Sequence, residues 1–205
     1  MKMKTLFLGM IAALALTTQM ARAEDGGDGK FAFGPQGGLV FSDYSVDNAP
    51  FGRNYDDENG FIAGLFLEFG VWTVTLRPEI NYVEKKFTVA NTAEVTNKYV
   101  EIPLLLKVNP FSDFVVSPFI VLGPSWSNHL GSDVKLLGTT TTYDNTADDW
   151  DLAGVGGVGV EFNVAENLNL SVQGRYNFGL RDIDKSNAEV KSRGIYALGG
   201  LGFQF

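Results

Sequence analysis

The chain has no cysteine and a single histidine among its 205 residues. Disulfides, thiolate metal sites, cysteine nucleophiles and a lipid anchor at a processed cysteine are therefore excluded, as are metal motifs that need two histidines. Basic residues are also scarce: 16 Lys and Arg stand against 24 Asp and Glu, a formal net charge of −8. An acidic chain without basic clusters does not attract phosphate backbones, so no nucleic-acid partner is expected. Long apolar runs are missing beyond the N-terminus. The richest stretch, Val100–Leu122, is broken by Glu101, Lys107, Asp113 and three prolines, which rules it out as a membrane-spanning helix.

What is present is glycine (24 residues), a 13% aromatic content and 45% hydrophobic residues. That balance excludes disorder and favours curved sheets over helices. The first residues form an export signal. Lys2 and Lys4 are followed by an apolar core from Leu6 to Leu16 and by Ala21-Arg22-Ala23, a small-x-small cleavage pattern. Residues 1–23 are thus assigned to a signal peptide and residues 24–205 to a single domain.

Within that domain the dominant signal is alternation with period two. Phe31, Phe33, Leu39 and Phe41 share one parity; Phe61, Ala63, Leu65, Leu67 and Phe69 do the same, opposite Glu68. Trp72, Val74, Leu76, Ile80 and Tyr82 alternate with Thr75, Arg77, Glu79 and Asn81, and Val100 to Val108 alternates with Glu101 and Lys107. Four further runs follow, at 114–126, 150–162, 168–178 and 195–205. Eight strands result, each near the roughly 9–11 residues that a tilted strand needs to cross a bilayer. Their connections alternate as well. Long polar segments at Asp43–Asn59, Glu84–Asn97, Asn128–Asp149 and Gly179–Arg193 are separated by short turns.

The polar parity carries Glu68, Arg77, Glu79, Glu101, Lys107, Glu161 and Arg175. Charges of both signs at these positions can pair inside a narrow lumen, with the apolar parity turned to lipid. A soluble lipocalin-like barrel would place the two faces the other way round. Aromatics at strand ends (Tyr44, Trp72, Tyr82, Tyr99, Trp126, Trp150, Tyr176) suit interfacial girdles. The chain stops at Phe205, with Phe203 on the same face, and a terminal aromatic strand resembles a barrel-assembly signal. The fold class expected is all-β: an eight-stranded, antiparallel, up-and-down transmembrane barrel of the outer-membrane type.

Several segments then resemble the PorT-like outer-membrane β-barrel family. They are Gly37-Gly38-Leu39-Val40-Phe41-Ser42, Gly60-Phe61-Ile62-Ala63-Gly64-Leu65-Phe66 and Arg77-Pro78-Glu79-Ile80-Asn81-Tyr82. The most specific are Val100-Glu101-Ile102-Pro103-Leu104-Leu105-Leu106-Lys107 and Leu122-Gly123-Pro124. Arg175-Tyr176-Asn177-Phe178-Gly179-Leu180 and the terminal Gly199 to Phe205 complete the set. The resemblance implies an outer-membrane barrel. Some relatives are linked to protein secretion, and the family has no shared catalytic residue to carry over.

Other motifs carry less. Gly154-Val155-Gly156-Gly157-Val158-Gly159 matches a dinucleotide fingerprint in letters, but the chain continues as strand where that site needs a helix. His129 lies near Ser125 and Ser127, without the order a lipid A deacylase would show. Asp56-Asp57-Glu58 and Asp148-Asp149 with Asp151 lack the spacing of a committed calcium loop. Lys85-Lys86 and Arg181, Lys185, Lys191 and Arg193 could meet lipid phosphates at an outer rim.

The expectation is a non-enzymatic integral protein of the bacterial outer membrane, with no cofactor or metal, both termini periplasmic and the long loops extracellular. Its partners would be outer-membrane lipids and lipopolysaccharide, the barrel-assembly machinery, and an envelope or secretion protein. The rivals are a narrow porin-like channel, an outer-leaflet lipid-modifying enzyme and a soluble lipocalin-like periplasmic binder.

Overall fold

The structure, a computed structural model, describes residues 29–43, 55–89, 93–111, 114–136, 139–144, 150–179 and 193–205. The signal peptide, Tyr44, Asp148, Asp149, Arg181, Lys185 and Lys191 lie outside them. The strands are β1 (Gly29–Asp43), β2 (Tyr55–Val71), β3 (Val74–Val89), β4 (Ala93–Val108), β5 (Val116–Leu136), β6 (Thr139–Asp144), β7 (Trp150–Ala165), β8 (Leu168–Gly179) and β9 (Arg193–Gln204). All neighbours run antiparallel. The hydrogen-bonded order β4-β3-β2-β1-β9-β8-β7-β5 closes on itself through β4–β5, and β6 hangs from β5 outside the ring. The barrel therefore has eight strands, closed where Phe33 meets Phe203 and Leu39 meets Ala197. Closure pairs the backbone polar groups of every wall strand without leaving an edge, which a sheet in hydrocarbon requires.

Alternation decides the faces. Leu65, Leu106, Leu122, Val158, Val172 and Ile195 point outward and are exposed, while Arg77, Glu79, Lys107, Glu161 and Arg175 are buried in the bore. Leu104, Leu170 and Phe203 lie on the outer wall, and Glu101 lies inside. Among the described residues, buried polar side chains outnumber buried apolar ones. This inverts the arrangement of a water-soluble barrel and leaves an apolar belt that only acyl chains can cover around its whole circumference.

The strands outrun the belt on one side. β5 has 21 residues, about 70 Å of chain at ~3.3 Å per residue, well beyond the belt's needs. Three segments expected as loops are partly strand. Tyr55–Glu58 pairs with Lys86–Val89, and Glu84–Val89 pairs with Ala93–Lys98. Asn128–Leu136 continues β5, and Thr139–Thr142 returns along Asp133–Leu136. The apolar alternation stops at the rim because both faces are wet beyond it. The β-branched residues Thr88, Val89, Val95, Thr96 and Val134 nevertheless keep the chain extended. The Gly154–Gly159 stretch is ordinary strand in β7, paired residue by residue with β5 and β8.

At the opposite end the connections are tight. Trp72 and Thr73 form the β2–β3 turn, and Trp72 has φ 59°, a conformation normally given to glycine at the first central position of such a hairpin. Tyr82, Trp126, Trp150 and Tyr176 stand at the outer-wall rim of the extended end. Tyr99, expected there too, turns into the bore and packs on its apolar cluster, because it shares the parity of the inward residues Glu101 and Leu105.

Candidate functional site

The bore is layered. Along β3 the inward side chains read Thr75, Arg77, Glu79, Asn81, Val83 and Lys85, from the turn end to the extended end. Arg77 is the hub of the lower layers. Its Nη1 donates to Glu68 Oε1 at 2.6 Å, its Nε to Glu79 Oε1 at 2.7 Å, and its Nη2 to Gln36 Oε1 at 2.9 Å. The guanidinium lies 3.9 Å from the centre of the Phe66 ring, a cation–π contact in a dry setting. Across the bore Arg175 reaches Glu79 with two parallel bonds of 2.7 Å from Nη1 and Nη2, the bidentate geometry that arginine favours. Lys107 lies between Glu68 at 3.0 Å and Glu161 at 2.5 Å.

Six of the seven predicted charges thus form one chain: Glu161, Lys107, Glu68, Arg77, Glu79 and Arg175. Gln36 and Asn81 stitch it laterally, since Gln36 Nε2 donates to Glu79 Oε2 at 2.8 Å and to Asn81 Oδ1 at 2.7 Å. Gly64 faces Asn81 across the β2–β3 ladder, and a Cβ there would collide with the Asn81 side chain and the Ile80 carbonyl. Glu101 stands apart from these charges. It accepts from the Tyr196 hydroxyl at 2.9 Å and lies 3.5 Å from the Lys85 ammonium.

Above the charges the bore turns apolar, which the parity argument did not foresee. Val40, Ile62, Val83, Tyr196 and Leu198 pack together with Tyr99 against them, while Leu105, Phe119, Val121 and Val155 form a second cluster beside the charges, with Leu105 opposite Arg77 and Val121 opposite Lys107. Tyr196 was missed outright. The available signal was the apolar residues Val40, Ile62, Val83 and Leu198 on the otherwise polar parity. The lumen is filled by these layers, as the diameter of eight strands allows.

At the extended end, Lys98 and Asp133 pair outside the belt at 2.7 Å. Hydrogen bonding to Asp133 raises the Lys98 pKa above its ordinary value. The bond from Lys98, followed by one from Thr142, lowers that of Asp133. The pair is therefore intact near neutrality and is lost as pH falls through the depressed Asp133 value, below the usual carboxylate range. In carboxyl NMR, Asp133 should titrate at lower pH in the native chain than in Lys98→Met; equal midpoints would remove the pair from the solution structure. Nearby, Ser132 donates to Asn97 Oδ1 at 2.7 Å and lies 3.1 Å from His129 Nε2. No group of three metal-ligating side chains occurs among the described residues.

At the turn end a cavity of about 170 Å³ opens below Lys107. Phe203 and Phe205 lie on the outer wall, with Phe205 stacked on Phe33 at 5.8 Å and its N–H bonded to the Phe31 carbonyl.

The family described as outer membrane protein beta-barrel domain matches residues 18–185. Comparison with curated sequences finds no match. Among solved structures, Neisserial surface protein A is similar with a TM-score of 0.56 at 17% identity, over 87% of this chain and 100% of that one. The N-terminal β-barrel domain of Pseudomonas aeruginosa OprF gives 0.48 at 14%, over 87% and 99%. Ail, the attachment invasion locus protein of Yersinia pestis, gives 0.44 at 17%, over 87% and 99%. At these identities the likeness concerns the fold.

Proposed function

Because the chain belongs to the outer membrane protein beta-barrel domain family, we propose that it is a non-enzymatic bacterial outer-membrane protein that offers an extracellular sheet to a protein partner. The short turns and both termini then face the periplasm. The observation that carries this reading is the projecting sheet. Past the last β1–β2 pair at Gly60, the strands β2, β3, β4, β5 and β6 continue, among the described residues, as an open sheet. One edge starts with Tyr55-Asp56-Asp57-Glu58, where three acidic residues discourage pairing. The other is β6, Thr139-Thr140-Thr141-Thr142-Tyr143-Asp144, β-branched over its four threonines and free of proline and lysine. Among the described residues β6 pairs only with β5. An undefended edge of this kind accepts an extended strand of a partner through main-chain hydrogen bonds.

The PorT-like resemblance makes a secretion or envelope protein the partner class. In this reading the buried charges plug the bore and fix its register, and Phe203 and Phe205 serve recognition by the assembly machinery. The test is Thr141→Pro, which removes a backbone donor without touching the barrel. Cross-linking in cells should recover a partner with the native chain and lose it with the variant, while heat-dependent gel mobility stays native. Equal recovery from both would exclude the β6 edge.

The channel reading has less support, because the bore is closed twice, by the Arg77 layer and by the Tyr196 layer. Purified protein in planar bilayers should show no steady conductance; a conductance abolished by Arg77→Ala would favour the channel.

A further inference from the structure

The apolar clusters of the bore draw members from β1, β2, β3, β4, β5, β7 and β9, and none from β8. The inward side chains of β8 are Asn169, Ser171, Gln173, Arg175 and Asn177, all polar and all buried. They form one uninterrupted polar ladder past both clusters. Glycines on the flanking strands make room for it. A Cβ on Gly202 would lie 2.1 Å from Asn169 Oδ1, one on Gly200 2.7 Å from Ser171 Oγ, and one on Gly159 2.8 Å from Gln173 Cβ.

The rungs of this ladder do not satisfy one another. Among the described residues, five buried side-chain atoms lack a hydrogen-bond partner, and three of them, Asn169 Nδ2, Gln173 Nε2 and Asn177 Oδ1, belong to β8. These residues are 2%, 3% and 9% exposed, so bulk solvent does not serve the atoms. A buried donor or acceptor left unmatched is costly.

The spacing selects what fits. Successive rungs stand about 6.6 Å apart, twice the rise per residue of a strand. A molecule with a hydrogen bond of about 2.8 Å on each side bridges about 5.6 Å. A single water meets that span, and the rungs supply both donors and acceptors to it. The one formal charge on the ladder, Arg175, is met by Glu79, so nothing there selects an ion. Three of the five guanidinium N–H groups go to Gln173 and Glu79, which leaves two to donate.

We infer that the β8 ladder binds a file of internal waters. One accepts from Asn169 Nδ2 and donates to Ser171 Oγ. A second accepts from Gln173 Nε2 and donates to the other lone pair of Ser171 Oγ. A third accepts from Arg175 and donates to Asn177 Oδ1. The file hydrates one side of the bore past both apolar clusters, and Arg175, which keeps its proton, breaks any proton relay along it. The inference needs only the closed barrel and is independent of the β6 edge.

The test is water contact by NMR, on isotope-labelled full-length protein in detergent micelles. Rotating-frame spectra separate direct contact with a long-lived water from hydrogen exchange by the sign of the cross-peak. The side-chain amides of Asn169 and Gln173 should show contact peaks. The amide of Gln36, also buried but donating to Glu79 and Asn81, should show none. Ser171→Ala removes the acceptor shared by two waters, so both contacts should be lost while heat-dependent gel mobility stays native. The contrast of Asn169 and Gln173 with Gln36 in the native chain needs no variant. No contact peaks at Asn169 and Gln173, equal peaks at Gln36, or peaks untouched by Ser171→Ala in folded protein would overturn the inference.

Discussion

Arg77→Ala is expected to destabilise the folded barrel by about 3–5 kcal/mol, the range for removing one partner of a buried ion pair. Arg77 is fully buried and holds Glu68, Glu79 and Gln36 at once. Without it Glu68 retains Lys107, Glu79 retains Arg175 and the amides of Gln36 and Asn81, and the Gln36 carbonyl loses its Arg77 donor. The cost comes less from the lost attraction than from carboxylates left under-compensated out of water. Urea titrations followed by unboiled gel mobility should show a lower midpoint with an unchanged slope. Arg77→Met combined with Glu68→Gln removes one charge of each sign and should recover part of the loss, a coupling read from the double-mutant cycle. A midpoint within about 0.5 kcal/mol of the native protein, typical of surface substitutions, would mean that water reaches this layer.

Val172→Lys is the second large effect. Val172 is 61% exposed on the outer wall, two residues from Leu170 and opposite Val160 and Gly199. On a water-soluble barrel the substitution would be nearly neutral. On a wall facing acyl chains a lysine near mid-bilayer costs about 2–4 kcal/mol. Folding into phospholipid vesicles should therefore be weakened by that amount. Gln204→Lys, at the turn end beside the aqueous vestibule, should be tolerated. Equal tolerance of both would remove the lipid-facing belt.

The parts of the fold legible in the sequence were those where one physical constraint acted alone. Across the belt every outward residue must be apolar, so Leu104, Leu106 and Val108 alternate with Leu105 and Lys107 and the register is visible. Beyond the rim that constraint lapses. Lys85, Asn97, Thr142 and Asp133 look like loop residues, yet they lie in paired strands because β-propensity and cross-strand bonds suffice there. The bore was half legible. Charges such as Arg77 and Glu79 announce an enclosed polar face, and two opposite charges on one parity invite pairing. Which charge meets which depends on height and azimuth. Glu101 therefore went to Tyr196 and Lys85 rather than to Lys107, a choice no one-dimensional pattern contains. The apolar layer around Tyr196 was hidden for the same reason, since either parity can hold Val or Ile when both sides are dry.

The absence of cysteine makes the most direct test of the central claim clean, because single cysteines can carry nitroxide labels without background. A scan of residues 168–178 in lipid vesicles should alternate. Labels at Leu170, Val172, Gly174 and Tyr176 should be accessible to oxygen and shielded from a water-soluble nickel chelate. Labels at Ser171, Gln173 and Arg175 should be shielded from oxygen dissolved in the bilayer. Nickel accessibility at Val172 and Gly174 equal to that of a fully hydrated site would contradict the account, because the greasy wall would then be facing water.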